Sequence, residues 1–170
     1  GKTVQLLKAE RVILNLMTHL SGVGNLTRAY LKQLEGTGVR LLDTRKTLPG
    51  HRYLEKYAVR TAGGVNHRMN LGDMLMLKDN HIDAAGSMTK AVAALRAKYL
   101  PCPPIEIECR TEAELREAIS CRVERIMLDN MSPEQLSALL PLIPADIEAE
   151  ISGGLTLDTI RELALASKVR

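Results

Sequence analysis

The sequence is nearly devoid of aromatic side chains. Of 170 residues four are Tyr, and there is no Phe or Trp. Any core must be aliphatic, and a nucleic-acid binder that stacks bases on aromatic rings is disfavoured. Long apolar runs are missing too, so no segment approaches the roughly 18 residues needed to cross a bilayer. No charged, apolar and small-residue leader opens the sequence. Cysteines are few: Cys102, Cys109 and Cys121, with no C-x-x-C pair. An odd, unpaired set predicts free thiols in a reducing compartment, hence a cytoplasmic protein, and disfavours a zinc cluster. Net charge is small, +3, which argues against a nucleic-acid partner.

What is present is ordinary for one soluble domain: 45% hydrophobic and 25% charged residues. The charge is unevenly placed. Between Arg40 and His81 eight Lys or Arg face four Asp or Glu, a net of +4, together with His51, His67 and His81. From Leu100 to Arg170 seven basic residues face thirteen acidic ones, a net of −6. One half suits an anion and the other a metal or hydroxyl groups; the competing reading is scattered surface charge.

Helical and strand patterns alternate along the chain. Residues 4–35 carry apolar side chains at helix spacing, with Gly22 and Gly24 predicting a break into two helices. Residues 39–43 read as a short strand and 51–61 as a helix. Residues 73–78 read as a strand, followed by a helix capped by Ser87. Strands at 105–109, 125–129 and 146–151 alternate with helices at 111–120, 132–140 and 156–167. Thr111 and Glu114 stand at capping-box spacing, and Ser132-Pro133 is a helix start. This alternation predicts parallel strands with right-handed crossovers. An open doubly wound sheet and a barrel both fit. The barrel is favoured because every strand ends in polar groups, which a barrel gathers at one mouth. Five strands are too few for a closed barrel. The expected fold is therefore an incomplete, truncated parallel α/β (TIM-like) barrel over 39–170, with a helical lead-in over 1–38.

The strand ends carry the chemistry. Asp43-Thr44-Arg45-Lys46-Thr47 packs two cations and two hydroxyls into one turn, suited to a carboxylate or phosphate. Asn66-His67-Arg68, after Gly63-Gly64, adds two donors beside a turn where backbone can approach a ligand. Lys78 closes an apolar strand and either reaches solvent or faces an anion. Glu106 and Glu108 share one strand face. Glu108 and Asp129, on adjacent strands, suit Mg²⁺ or sugar hydroxyls. Ser152-Gly153-Gly154, between a strand and a helix, offers backbone N–H groups to a phosphate. Each also reads as an ordinary loop or solvated edge. No Ser-His-Asp arrangement or activated Cys is evident. The set points to group transfer between anionic small molecules without an enzyme nucleophile.

Five motifs in order carry a resemblance: L-D-T-R-K-T-L-P-G at 42–50, E-K-Y-A-V-R at 55–60, G-G-V-N-H-R at 63–68, L-K-D-N-H at 77–81 and I-M-L-D-N at 126–130. From about Glu10 onward the chain resembles the quinolinate phosphoribosyltransferase family. The resemblance implies a reaction: quinolinate and phosphoribosyl pyrophosphate (PRPP), with Mg²⁺, become nicotinate mononucleotide, pyrophosphate and CO₂ on the way to NAD. It implies a homodimer or higher homo-oligomer, an N-terminal sandwich domain, and a barrel domain of which this chain resembles all but the last strand or strands. By motif, Arg45, His67, Arg68 and Lys78 would surround the two carboxylates of quinolinate. Lys46 would contact PRPP, while Glu108 and Asp129 would face the ribose hydroxyls and Mg²⁺. Ser152, Gly153 and Gly154 would hold a phosphate. Arg11 matches an arginine given to the neighbouring subunit's site. The catalytic set expected is Lys78, Glu108 and Asp129. A molybdenum-transport-associated sibling of the same fold, and an inert fragment that mediates association, are the competing readings.

Overall fold

The computed structural model describes residues 1–166. It forms two compact units, Gly1–Met69 and a second that begins at Asn70.

In the first unit, α1 runs unbroken from Thr3 to Leu34. The break expected at Gly22 and Gly24 does not occur. A helical glycine costs about 1 kcal/mol against alanine, too little to end a helix held by packing. Gly24 lies buried beside α2 (Arg52–Thr61), with Ala58 O and Ala62 Cβ both 3.9 Å from where its own Cβ would stand. After Leu34 the Thr37 hydroxyl donates to Leu34 O at 2.7 Å. The strand expected over 39–43 is reduced to one parallel bridge, Leu42 to Val65. Its hydrogen bonds are Asp43 N to Val65 O, 3.0 Å, and Val65 N to Leu41 O, 2.8 Å. Val39 and Arg40 stay exposed and join no ladder.

The second unit is built on four parallel strands: β1 (Leu75–Leu77), β2 (Ile105–Cys109), β3 (Arg125–Asp129) and β4 (Glu148–Ser152). Their spatial order is β1-β2-β3-β4, the order of the chain. A doubly wound sheet reverses its order at a switch point, and this one does not. The architecture is an incomplete parallel α/β barrel. The helices are α3 (Asp79–Ala85), α4 (Met88–Lys98), α5 (Glu112–Ser120), α6 (Pro133–Leu139) and α7 (Ile160–Ala166). The sequence reading missed α3, whose N-cap is a lysine: Lys78 N–H donates to His81 Nδ1 at 3.0 Å. It also started α7 too early, because Thr156 and Thr159 bond to each other in the preceding turn. The end it placed at Ser167 lies outside the described residues.

Three helices are capped as their sequences predict. Ser87 accepts from Lys90 N, Thr111 from Glu114 N, and Ser132 from Gln135 N, at 3.2, 3.2 and 3.3 Å. Gln135 Oε1 returns the bond to Ser132 N and completes a capping box. Glu114 does not do so: its Oε2 accepts from Arg110 N at 2.6 Å instead.

Strand alternation divides the sheet into two faces. Ile105, Ile107, Cys109, Ile126 and Leu128 pack with Leu115, Ala118 and Leu136 of the helices in one aliphatic core. Each such large side chain contributes about 1.5–3 kcal/mol by leaving water. The opposite face carries Glu106 and Glu108 on β2, Arg125 and Asp129 on β3, and Glu148, Glu150 and Ser152 on β4. The helix α1 yields a direct test of its continuity. A Cβ at Gly22 would meet nothing within 4 Å. Gly22→Ala is expected to stabilise the protein by about 0.5–1 kcal/mol, read as a raised thermal midpoint; a lowered one would mean the helix is broken there.

Candidate active site

The register of the parallel ladder places the expected site residues of the second unit. Glu108 pairs with Met127 and Asp129 with Ser152. Asp129 stands two residues beyond Met127, so Glu108, Asp129 and Ser152 share the charged face at the C-terminal strand ends. Lys78 follows β1 directly, and its Nζ forms a short ion pair with Glu108 Oε2. Glu108 is mostly buried, at 15% exposed, while Lys78 is 46% exposed. The lysine is thus the more solvent-exposed partner of the pair.

Beyond β3 the backbone turns sharply. Asn130 adopts φ 54°, in the left-handed region that Asn tolerates better than most residues. Its N–H donates to Ser152 O at 2.9 Å, and its Nδ2 to Asp129 Oδ2 at 2.6 Å. Gly153 (φ 93°) faces it so closely that a Cβ would lie 2.2 Å from Asn130 Oδ1 and 2.8 Å from Asn130 N. Asn130 and Gly153 therefore interlock and set the direction of the Asp129 carboxylate. In the sequence Asn130 stands with Asp129 as a polar strand end, without an assigned role. The phosphate-binding reading of Ser152-Gly153-Gly154 loses one support, since α7 begins only at Ile160. The loop's own N–H groups remain as donors.

In the first unit the turn around Arg45 is held by Lys46 N to Thr44 Oγ1, 3.1 Å, and Thr47 N to Arg45 O, 3.0 Å. Arg52 on α2 donates to Arg45 O and Met69 O, each at 3.4 Å. Arg45 Nε is buried and has no hydrogen-bond acceptor among the described residues. Lys46 is exposed. His67 and Arg68 are partly buried, and the Arg68 N–H donates to His67 Nδ1 at 2.8 Å. Gly64 serves packing rather than a ligand: a Cβ there would lie 2.6 Å from Val59 Cγ1. Arg11 projects from the exposed first part of α1 and has no ion-pair partner among the described residues.

The sequence reading overlooked Lys56 and the role of Asp43. Lys56 Nζ forms a buried ion pair with Asp43 Oδ1 and donates to His67 O at 2.9 Å. The available signal was a lysine at the inward-facing spacing of α2, with Arg52, Val59 and Ala62.

The buried Cys109 adds no nucleophile. All three cysteines are free thiols. Burial, and then the negative charges of Glu114, Glu108 and Glu117, push the Cys109 thiol up to about 12. No described helix is long and apolar enough to cross a membrane.

Residues 23–169 match the C-terminal domain of quinolinate phosphoribosyl transferase. The chain belongs to this family. A member from Mycobacterium leprae, a nicotinate-nucleotide pyrophosphorylase (carboxylating), is 44% identical over 158 residues, covering 90% of this chain and 55% of its own length. Among solved structures, NadC from Streptococcus pyogenes is 46% identical with a TM-score of 0.88, covering 95% of this chain and 56% of that one. The nicotinate-nucleotide pyrophosphorylase from Ehrlichia chaffeensis is 40% identical with a TM-score of 0.89, covering 95% and 59%. The chain thus spans little more than half the length of these relatives. The family expected from the five motifs is the one found, and its fold is shared.

The Asn130–Gly153 contact separates two neighbouring glycines of this loop. Gly153→Ala is expected to lower stability by more than about 1 kcal/mol, because backbone atoms block the methyl. Gly154→Ala, with nothing within 4 Å, should cost less despite its φ of 59°. Chemical denaturation of both variants checks the order.

Proposed function

We propose that the protein carrying this chain transfers the phosphoribosyl group of PRPP to quinolinate. The products are nicotinate mononucleotide, pyrophosphate and CO₂, within NAD biosynthesis. The observation that carries this reading is the single charged face at the strand ends, where Lys78, just beyond β1, and Glu108, Asp129 and Ser152 of the next three strands stand together. The family and the two cation-bearing segments of the first unit support it.

By motif, Arg45, His67 and Arg68, and separately Lys78, are each assigned to a carboxylate of quinolinate. The buried Arg45 Nε, a donor lacking an acceptor among the described residues, supports an anion there. Lys46 contacts PRPP, and the N–H groups of Ser152, Gly153 and Gly154 take a phosphate. Glu108 and Asp129 accept from the ribose hydroxyls. The same two residues fit Mg²⁺, since they offer hard oxygen donors at neighbouring strand ends. Asn130 engages one Asp129 oxygen and leaves the other available. When bound, Mg²⁺ neutralises charge on the pyrophosphate leaving group.

In this reading the pyridine nitrogen attacks the anomeric carbon of the ribose as pyrophosphate departs. The carboxylate clamp contributes by positioning, holding nitrogen and carbon within reach. Lys46 offsets charge on the departing group. As the carboxylate on the adjacent ring carbon leaves as CO₂, its electron pair stays on that carbon, stabilised by the positive charge of the alkylated nitrogen, and a proton from water then forms the C–H bond of the product. A homodimer, with Arg11 reaching the partner's site, is part of the proposal, and exposed Leu6, Leu7, Val12 and Ile13 on α1 support it. So is a cytoplasmic location, supported by the three free thiols.

The test is release of labelled CO₂ from carboxyl-labelled quinolinate with PRPP and Mg²⁺. It is run on this chain and on a version extended to its relatives' length. The extended enzyme is expected to release CO₂ in step with pyrophosphate; silence there would overturn the assignment. In the active enzyme, Arg45→Ala is expected to raise the quinolinate KM at least about tenfold and leave the PRPP KM within about twofold. Equal weakening of both substrates would remove Arg45 from the carboxylate clamp.

A further inference from the structure

We infer that Asp43 and Lys56 form a positioning pair that fixes the backbone of His67, and through it the hydrogen-donor state of the His67 ring. The inference rests on the reading of Arg45, His67 and Arg68 as the carboxylate clamp.

The pair is almost wholly out of water, with the Lys56 and Asp43 side chains 1% and 5% exposed. Such a pair is a weak source of stability, because desolvating two charges cancels much of their attraction, and apolar side chains of similar volume often serve as well. What apolar side chains cannot supply is hydrogen bonds to one chosen peptide. Here both charges hold the same residue. Asp43 Oδ1 accepts from His67 N at 2.8 Å, and Lys56 Nζ donates to His67 O at 2.9 Å. Asn66 closes the frame, with its Nδ2 donating to Asp43 Oδ2 at 2.6 Å and to Lys56 O at 2.8 Å.

Fixing that peptide has a chemical result. The next N–H, that of Arg68, donates to His67 Nδ1 at 2.8 Å. A backbone N–H can only donate, so Nδ1 is the acceptor and the neutral ring carries its hydrogen on Nε2. His67 is thereby set as an N–H donor, the state that recognises a carboxylate without needing a charged ring. Asp43 also lies two residues before Arg45, so one carboxylate ties the arginine's turn to the histidine's segment.

The test compares the active full-length enzyme with its Asp43→Leu/Lys56→Met double variant. Thermal midpoint, both KM values and ¹⁵N NMR of the His67 ring are measured. The double variant is expected to fold, to raise the quinolinate KM at least about tenfold, and to keep the PRPP KM within about twofold. Its His67 ring should lose the single Nε2–H tautomer. A folded double variant with unchanged quinolinate KM overturns the inference. Wild-type enzyme whose His67 carries its hydrogen on Nδ1 overturns it as well, whether or not any variant folds. Asn66→Ala, which keeps the ion pair, is expected to raise the quinolinate KM by a smaller factor. A wild-type enzyme inactive toward quinolinate would instead refute the underlying assignment, while the NMR arm still reports on the pair.

Discussion

The second unit depends on one constraint: each parallel strand must send alternate side chains to opposite faces. Ile105, Ile107 and Cys109 go to the helices, which sends Glu106 and Glu108 to the other side. A slip of one residue would drive carboxylates into an aliphatic core and expose the isoleucines. The apolar layer therefore fixes not only the fold but the height at which each charge emerges. Lys78 meets Glu108, and Asp129 sits beside Ser152, because the isoleucines and leucines behind them leave no other register.

The first unit solves a different problem with fewer apolar residues. Its buried positions include Gly24, Thr27, Thr37, Gly64 and Lys56 beside Leu34 and Ala58. Little dispersion energy is available there, and directional bonds define the local geometry instead. A single carboxylate, Asp43, accepts from a lysine, an amide side chain and a backbone N–H. Such a network tolerates little error, since losing one member strands the others without water.

The parts legible in the sequence were those with local signals. The strand at 105–109 is marked by apolar alternation and that at 125–129 by a short continuous apolar run, each between turn residues. The helices after Ser87, Thr111 and Ser132 are marked by their caps. Two glycines misled, because a propensity cost of about 1 kcal/mol gives way to packing along α1. The strand at 39–43 was over-read, because strand character needs a partner, and only Leu42 has one. Helix α3 was hidden by its unusual lysine N-cap. Among site residues, Arg45, His67, Arg68, Lys78, Glu108 and Asp129 stood out as polar groups at strand ends or beside glycine turns. Lys56 did not, since what marks it is a partner brought by folding, and Asn130 was visible as a polar strand end but its contact with Gly153 was not. Arg11 was reachable only through resemblance.

The strand order has a consequence for how the chain is made. After β1, each strand of the second unit hydrogen-bonds to the one synthesised just before it. During translation β2 can dock on β1, β3 on β2 and β4 on β3, each crossover helix covering the newest seam as it emerges. The growing edge is exposed only until the next strand arrives. An order with a reversal would instead leave an early edge open until a distant segment returned to it. For an aliphatic sheet whose unpaired edge invites aggregation, sequential closure shortens the interval at risk on the ribosome.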